Sequence, residues 1–301
     1  MAEVLNLKEV SLSKKIYKKK KFGFSKIIKF SLVIVFSVVL TTLGIKATDN
    51  LFFASLKESS EIKPKANEGP CPLDMVFVAS EKGGFCIDKY ENSPGPKCSF
   101  LNPQNQKESQ DNLSNPDCYP VSKAGLLPWT NISQNQAQLA CAKAGKRLPT
   151  AKEWYLAALG TPDKSNDWTK DDCHLNKNWG KEPGLTGSGK NCQSSAGAFD
   201  MAGNVWEWVA DTIFDGNFQN RPLPNQGYVW GVEENGFPFQ TEKDNPSLDY
   251  NQDYFWIYPE GTRAIARGGY FQSETDGGIY SSYLVALPSN SSLATGFRCA
   301  K

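Results

Sequence analysis

Three oxygen-bearing side chains lie close together in one Trp-rich stretch of the sequence. Asn204, Glu207 and Asp211 are spaced three and four residues apart. If this stretch forms a turn that then winds up, that spacing can aim all three oxygens at one hard cation such as calcium. The alternative on spacing alone is a Trp-rich core segment whose carboxylates are simply solvated.

Two capping boxes predict helices upstream of this stretch. Ser133 with Gln136 precedes small residues at helical spacing, and Gly145 supplies the stop. Thr150 with Glu153 opens a second helix in the same way. These signals concern folding and carry no chemistry.

Between the two helices, Arg147 is interpreted as a structural ion-pair partner. His174 is the one histidine of the chain, and it lies in a polar, Gly-rich region over 168–192. A lone histidine in a loop is usually solvated or caps a helix, so we do not expect a ligand role for it.

The rest of the chain predicts short strands and long loops. Residues 75–79 and 85–90 read as two strands of a hairpin, and 93–120 reads as a loop rich in Pro, Asn and Ser. The insert over 212–262 shows no clear periodicity but is rich in aromatic residues. Those aromatics either anchor the insert to the core or form a binding surface. Residues 267–270 and 296–299 read as central strands.

The N-terminus predicts a membrane anchor. Nine Lys and two Glu give residues 1–30 a charge of +7, which leaves −6 on the other 271 residues of a chain whose total is +1. The uncharged apolar run over 30–45 spans roughly 24 Å as a helix, against about 30 Å for the apolar core of a bilayer.

We therefore expect a basic cytoplasmic tail over 1–29, a transmembrane signal anchor over 30–46, a linker over 47–70 and an extracytoplasmic domain over 71–301, either periplasmic or extracellular. The alternatives are a signal peptide cut after Ala47 and a basic tail that binds nucleic acid. The mildly acidic body gives no reason to expect nucleic-acid binding.

All eight cysteines follow the apolar run, which agrees with export to an oxidising compartment. An even number predicts four disulfides, although eight cysteines allow 105 pairings. A metal–thiolate site is the rival interpretation, but the sequence has no Cys-x-x-Cys pair. The cysteines are Cys71, Cys86, Cys98, Cys118, Cys141, Cys173, Cys192 and Cys299.

Four motifs, in this order, resemble the formylglycine-generating enzyme family, also called sulfatase-modifying factors. They are Arg-Leu-Pro-Thr-x-x-Glu-Trp over 147–154, Gly-Asn-Val-Trp-Glu-Trp over 203–208, Arg-Gly-Gly over 267–269 and Gly-Phe-Arg over 296–298. The resemblance covers roughly residues 71–301. It implies an α+β fold related to C-type lectins, with little regular secondary structure.

The resemblance also implies a calcium site built around the Asn-x-x-Glu-x-x-x-Asp segment. We expect the ligands to be the side chains of Asn204 and Glu207, the Val205 carbonyl and Asp211, with a structural role in holding the turn that carries the two Trp.

Among the disulfides, the resemblance favours Cys141 with Cys299. Pairing each remaining cysteine with its nearest neighbour then suggests Cys71–Cys86, Cys98–Cys118 and Cys173–Cys192.

The chain departs from the family where its chemistry takes place. The family's oxidases carry two nearby cysteines after the Arg-Gly-Gly strand, which bind copper and oxidise a substrate cysteine to formylglycine. Residues 268–283 contain no cysteine here, and Ser273 sits near the position of the first. A hydroxyl cannot replace a thiolate as a soft copper(I) ligand, so we do not expect copper. The iron-dependent sulfoxide synthases need several histidines, and this chain has one.

We therefore predict a membrane-anchored, non-catalytic, calcium-stabilised binding or structural module, with a peptide, a glycan or an envelope protein as its unknown partner. The alternative is a divergent formylglycine-generating oxidase that acts on exported sulfatases. A hydrolase using neighbouring carboxylates such as Glu233 and Glu234 is a third interpretation, but adjacent loop carboxylates are usually solvated.

Overall fold

A computed structural model describes residues 69–301, except 82, 165–166 and 176–177. The predicted tail, anchor and nearly all of the linker lie outside these residues. Within the described part, no helix is long and apolar enough to cross a membrane.

Three α-helices occur in the described part: α1 (Gln106–Ser114), α2 (Gln134–Lys143) and α3 (Ala151–Ala158). Both predicted capping boxes are confirmed. The side chains of Ser133 and Thr150 each accept from the backbone N–H three residues on, and their own backbone N–H groups donate to the side chains of Gln136 and Glu153. The prediction of a loop over 93–120 is wrong in its middle. There Asn105 caps α1 by accepting from the Glu108 N–H, a local signal that the polar composition hides.

Two small hairpins precede and flank these helices. The first pairs β1 (Met75–Val78) with β2 (Phe85–Asp88), which confirms the predicted hairpin with slightly shorter strands. The second pairs β3 (Asn92–Pro94) with β4 (Pro120–Ser122).

One nine-stranded sheet forms the rest of the fold. Its strands are β5 (Trp206–Phe214), β6 (Asn217–Phe218), β7 (Arg221–Pro222), β8 (Gly227–Val232), β9 (Pro238–Glu242), β10 (Tyr254–Ile257), β11 (Thr262–Arg267), β12 (Ser282–Leu284) and β13 (Thr295–Phe297). The order is β7-β6-β5-β11-β12-β10-β8-β9, and β13 pairs with β5 in parallel. A 3-10 turn at Leu248–Tyr250 precedes β10.

The sheet corrects two expectations. The stretch after Asn204 does not wind into a helix, because residues 206–214 form the longest strand of the sheet. The aromatic insert over 212–262 is likewise not a structureless loop, since it supplies the end of β5, five further strands and the first residue of β11. The α+β expectation holds in its coarse form, as a mostly β domain with few helices.

The core divides into two main hydrophobic clusters that share the central strands. One packs α3 against Val209, Phe237 and Phe255, and the other packs α2 against Trp129, Trp208 and Phe297. Alternation along β5 sends Trp206 and Trp208 to the second cluster and Val209 to the first, because successive strand residues point to opposite faces.

All four predicted disulfides are present: Cys71–Cys86, Cys98–Cys118, Cys141–Cys299 and Cys173–Cys192. Three of them close loops of 15 to 20 residues, whereas Cys141–Cys299 spans 158 residues and ties α2 to the segment after β13. Since all eight cysteines lie among the described residues, no cysteine of the chain is left as a free thiol.

The long disulfide should contribute most to stability. Replacing Cys141 and Cys299 with Ser is expected to cost about 2 kcal/mol more free energy of unfolding than replacing Cys98 and Cys118, because the longer loop restricts the unfolded chain more. Urea unfolding of both double variants under non-reducing conditions measures the difference. Equal losses would contradict this loop-length account.

Candidate functional site

A buried ion pair joins Glu207 of β5 to Arg298, the residue after β13. The guanidinium of Arg298 contacts both carboxylate oxygens of Glu207, with Nη2 at 2.5 Å from Oε1 and Nε at 2.7 Å from Oε2. The indole N–H of Trp154 donates to the same Oε2 at 2.7 Å. Both charged side chains are almost completely buried.

The remaining donors of Arg298 bind backbone carbonyls. Nη1 donates to the carbonyl of Asp88 at 3.1 Å, and Nη2 donates to that of Phe199 at 2.7 Å. A buried guanidinium is tolerated only when its donors are satisfied in this way. Arg298 therefore connects the first hairpin, the turn before β5 and β5 itself.

Two further acidic groups lie beside this pair. Glu91 is fully buried, and its carboxylate accepts from the Asn204 side-chain amide and from the Val205 N–H. Asp200 is 2% exposed and accepts from the Gly187 N–H at 2.6 Å through Oδ2. Its Oδ1 has no hydrogen-bond partner among the described residues.

Burial sets the electrostatics of these two acids. It raises the pKa of Asp200 to about 7, and the neighbouring Glu207 adds to that rise. Burial also raises the pKa of Glu91 well above its usual value, with further contributions from Asp200 and Glu207. When ionised, the three acids and Arg298 carry a net charge of −2, which one divalent cation would balance.

The predicted calcium ligands separate into two places. Asn204 and Glu207 both belong to this buried acidic cluster, and the Val205 N–H contacts it. Asp211 does not, because its carboxylate accepts from the Ala151 N–H at 2.6 Å, at the start of α3. The acidic cluster instead gathers Glu91 and Asp200, two residues that sequence reasoning missed. Asp200 lies four residues before Asn204, outside the Gly-Asn-Val-Trp-Glu-Trp motif over 203–208, and Glu91 has no local sequence signal.

A cavity of about 540 Å³ opens at Trp206, where β5 begins. Its lining is rich in aromatic side chains from four separate segments. The lining includes Trp206, Trp256, Tyr270, Tyr283, Ser273, Asp276 and Lys181.

Ser273 lies in the wall of this cavity, in a tight turn. The residue is 4% exposed, and its hydroxyl accepts from the Tyr270 N–H at 3.2 Å. Gly277 approaches so closely that a methyl carbon added there would lie 2.4 Å from the Ser273 Cβ. The hydroxyl thus closes a local turn in addition to facing the cavity.

The turn is fastened to the acidic cluster through the backbone of Asn204, which has a positive φ of 55°. The Phe271 N–H donates to the Asn204 carbonyl, and the Asn204 N–H donates to the His174 carbonyl, both at 2.9 Å. The Gly203 N–H donates to the Gly268 carbonyl at the same distance. The wall of the cavity and the acidic cluster therefore form one hydrogen-bonded unit.

The expectation of a solvated His174 is wrong. The residue is 1% exposed, and its ring stacks on Trp179 with 3.7 Å between centroids. Burial lowers its pKa to about 4, so the ring is neutral at pH 7. No hydrophobic periodicity around His174 predicts this burial.

Two other sequence expectations are resolved. Arg147 forms the expected ion pair, with both guanidinium nitrogens 2.6 Å from the carboxylate of Glu153. Of the two neighbouring carboxylates of the insert, Glu233 pairs with Arg221 at 2.9 Å and Glu234 lies 3.8 Å from Lys152.

Comparison with known proteins gives a family match over most of the domain. Residues 79–301 match the family described as sulfatase-modifying factor enzyme 1-like domain. A formylglycine-generating enzyme of Thermomonospora curvata is 29% identical over 195 residues, which are 58% of this chain and 55% of the relative. An inactive C-alpha-formylglycine-generating enzyme 2 of Mus musculus is 36% identical over 120 residues, 34% of this chain and 38% of the relative. The chain thus spans about half or less of the length of these relatives.

Solved structures also resemble the domain. The major tropism determinant P3c variant aligns with a TM-score of 0.42 at 17% identity, over 77% of this chain and 53% of its own. PvdO from Pseudomonas aeruginosa aligns with a TM-score of 0.41 at 17% identity, over 75% of this chain and 89% of its own.

The buried ion pair should dominate the stability of the site. Arg298→Met is expected to lower the free energy of unfolding by about 3–5 kcal/mol, because it leaves the buried acids without their cationic partner. Arg147→Met, which breaks a half-exposed pair, should cost less than about 1 kcal/mol. Urea unfolding at pH 7 compares the two variants, and similar losses in both would contradict the role given to Arg298.

Proposed function

The chain belongs to the sulfatase-modifying factor enzyme 1-like domain family, and on that premise we propose that it is a non-catalytic member. It acts as a binding module, anchored in a membrane by its N-terminal segment and facing an extracytoplasmic compartment. Its partner, a peptide, a glycan or an envelope protein, binds in the aromatic cavity beside Ser273. We propose neither a copper cofactor nor a nucleic-acid partner.

The observation that carries the proposal is the state of the cysteines. All eight are paired in disulfides, so none supplies the thiolate that a copper(I) site requires. Ser273 stands near the expected position of the first copper-binding thiol, and its hydroxyl accepts from the Tyr270 N–H. The residue thus serves a local structural purpose without a thiol.

The same disulfides and the N-terminal charge support the proposed extracytoplasmic compartment. Four disulfides in a domain of this size suit an oxidising environment outside the cytoplasm. The Lys-rich segment before the apolar run favours a cytoplasmic N-terminus and an exported C-terminal body.

We also propose that calcium stabilises the domain at the buried acidic cluster. The support is that three buried acids share one Arg, so that a bound divalent cation would balance the charge of −2 that they carry when all are ionised, together with the unpartnered Oδ1 of Asp200. Glu91, Asp200, Glu207 and the Asn204 side chain would hold the ion, and its role would be to neutralise this charge. Asp211 is left out of the ligand set because it caps α3.

An activity assay tests the non-catalytic assignment. Incubated with copper(I), oxygen and a cysteine-containing sulfatase peptide, the protein is expected to form no formylglycine, because it lacks the thiolate pair. Mass spectrometry of the peptide is the measurement, with an active formylglycine-generating enzyme as the positive control. Copper-dependent, oxygen-dependent turnover would establish the oxidase alternative, which the similarity to the Thermomonospora curvata enzyme favours.

Chelation tests the calcium proposal. EGTA is expected to lower the melting temperature by several degrees, since removing the ion leaves the buried acids unbalanced. Asp200→Asn should lose most of this calcium dependence, whereas Asp211→Asn should keep it. Identical melting curves with EGTA and with excess calcium would rule out a structural ion. Loss of the calcium dependence in Asp211→Asn alone would instead favour the ligand set predicted from the sequence, which includes Asp211.

A further inference from the structure

Four aromatic rings form the inner surface of the cavity beside Ser273. Trp206 lies at its base and is 5% exposed, while Trp256, Tyr270 and Tyr283 are half-buried around it. Their ring centroids lie 5.6, 6.5 and 5.8 Å from that of Trp206, respectively. The Trp256 ring stands at 85° to the Trp206 ring, so the two form a corner.

The rings come from four elements, so the corner is preorganised by the sheet. Trp206, Trp256 and Tyr283 lie on β5, β10 and β12. Tyr270 lies in the turn closed by Ser273. Backbone pairing fixes Trp256 opposite Tyr283 in adjacent parallel strands. A ligand that enters this cavity therefore meets ring surfaces that need little rearrangement.

A carboxylate lies in the same lining. Asp276 is half-buried, and this burial raises its pKa, with the neighbouring Glu274 adding to the rise. Burial raises the pKa of the Tyr270 hydroxyl, and the charge of Asp276, which lines the same cavity, adds to that rise. Among the described residues, the salt bridges do not include Asp276.

One basic residue also lines the cavity. Lys181 is exposed, so water screens its charge. Asp276 is partly removed from water, so its electrostatic interactions are screened less. A cation at the ring surfaces would therefore interact more strongly with Asp276 than with Lys181.

From this combination we infer that the cavity binds an alkylated ammonium group, such as the quaternary ammonium of a choline-type ligand. The faces of Trp and Tyr rings attract cations through their negative quadrupole, and the attraction grows when the cation is desolvated. A quaternary ammonium fits because its methyl groups pack on the rings while its charge faces Asp276. This inference rests on the proposed function, since it names the ligand class of the same cavity.

The test compares choline with its neutral isostere, 3,3-dimethylbutan-1-ol, by calorimetric titration of the full chain. Choline is expected to bind saturably and at least tenfold more tightly than the alcohol, because only the charge differs. Asp276→Asn, which keeps the shape of the side chain, should weaken choline binding by about tenfold and leave the alcohol unaffected.

Two Trp variants supply a matched control. Trp256→Leu should abolish choline binding, whereas Trp230→Leu should not, because Trp230 is an exposed Trp of β8 that does not line the cavity. Their melting temperatures show whether either variant is unfolded, and the Asp276→Asn result stands even if Trp256→Leu fails to fold.

Each other outcome overturns a defined part of the inference. Equal affinities for choline and the alcohol would show an apolar binding cavity without cation selectivity, so the ligand class would be wrong while the binding module survives. Binding of neither probe would overturn the ligand class outright. The formylglycine assay tests the non-catalytic assignment separately, so the two failures are distinguishable.

Discussion

The ion pair between Glu207 and Arg298 is the contact on which the rest of the domain depends. Arg298 follows β13, which pairs with β5 so that Gly296 lies opposite Glu207. The same guanidinium binds carbonyls at the end of the first hairpin and in the turn before β5. A charge buried at this depth needs its partners in place, so the Arg298 side chain couples three segments that are far apart in sequence: its own after β13, the end of the first hairpin, and residues 199–207.

The central strand also connects the buried acids to the cavity. Glu207 points to Arg298 and Trp154, while its neighbour Trp206 points the other way, to the base of the cavity, as the alternation of a strand requires. The Asn204 carbonyl holds the turn of Ser273 through the Phe271 N–H. In this arrangement the acidic cluster holds one wall of the aromatic cavity in place.

The sequence predicts the structure correctly where neighbouring residues determine it, and incorrectly where contacts between distant residues determine it. The capping boxes of α2 and α3 and the first hairpin depend on neighbouring residues, and all are present. The stretch after Asn204 was expected to wind up, but pairing with β11 and β13 makes it a strand, which moves Asp211 away from Glu207. Glu91 reaches the acidic cluster over a separation of 113 residues from Asn204, a contact with no sequence signal.

The proposal that this member of the family binds a partner and does not catalyse oxidation depends on the absence of a thiolate pair. Counting free thiols by mass spectrometry, on protein made in an oxidising host and kept non-reduced, tests it most directly. The account predicts no free thiol and the four disulfides Cys71–Cys86, Cys98–Cys118, Cys141–Cys299 and Cys173–Cys192. Two free thiols mapped close to the turn of Ser273 would contradict it and make copper-dependent oxidation the better explanation.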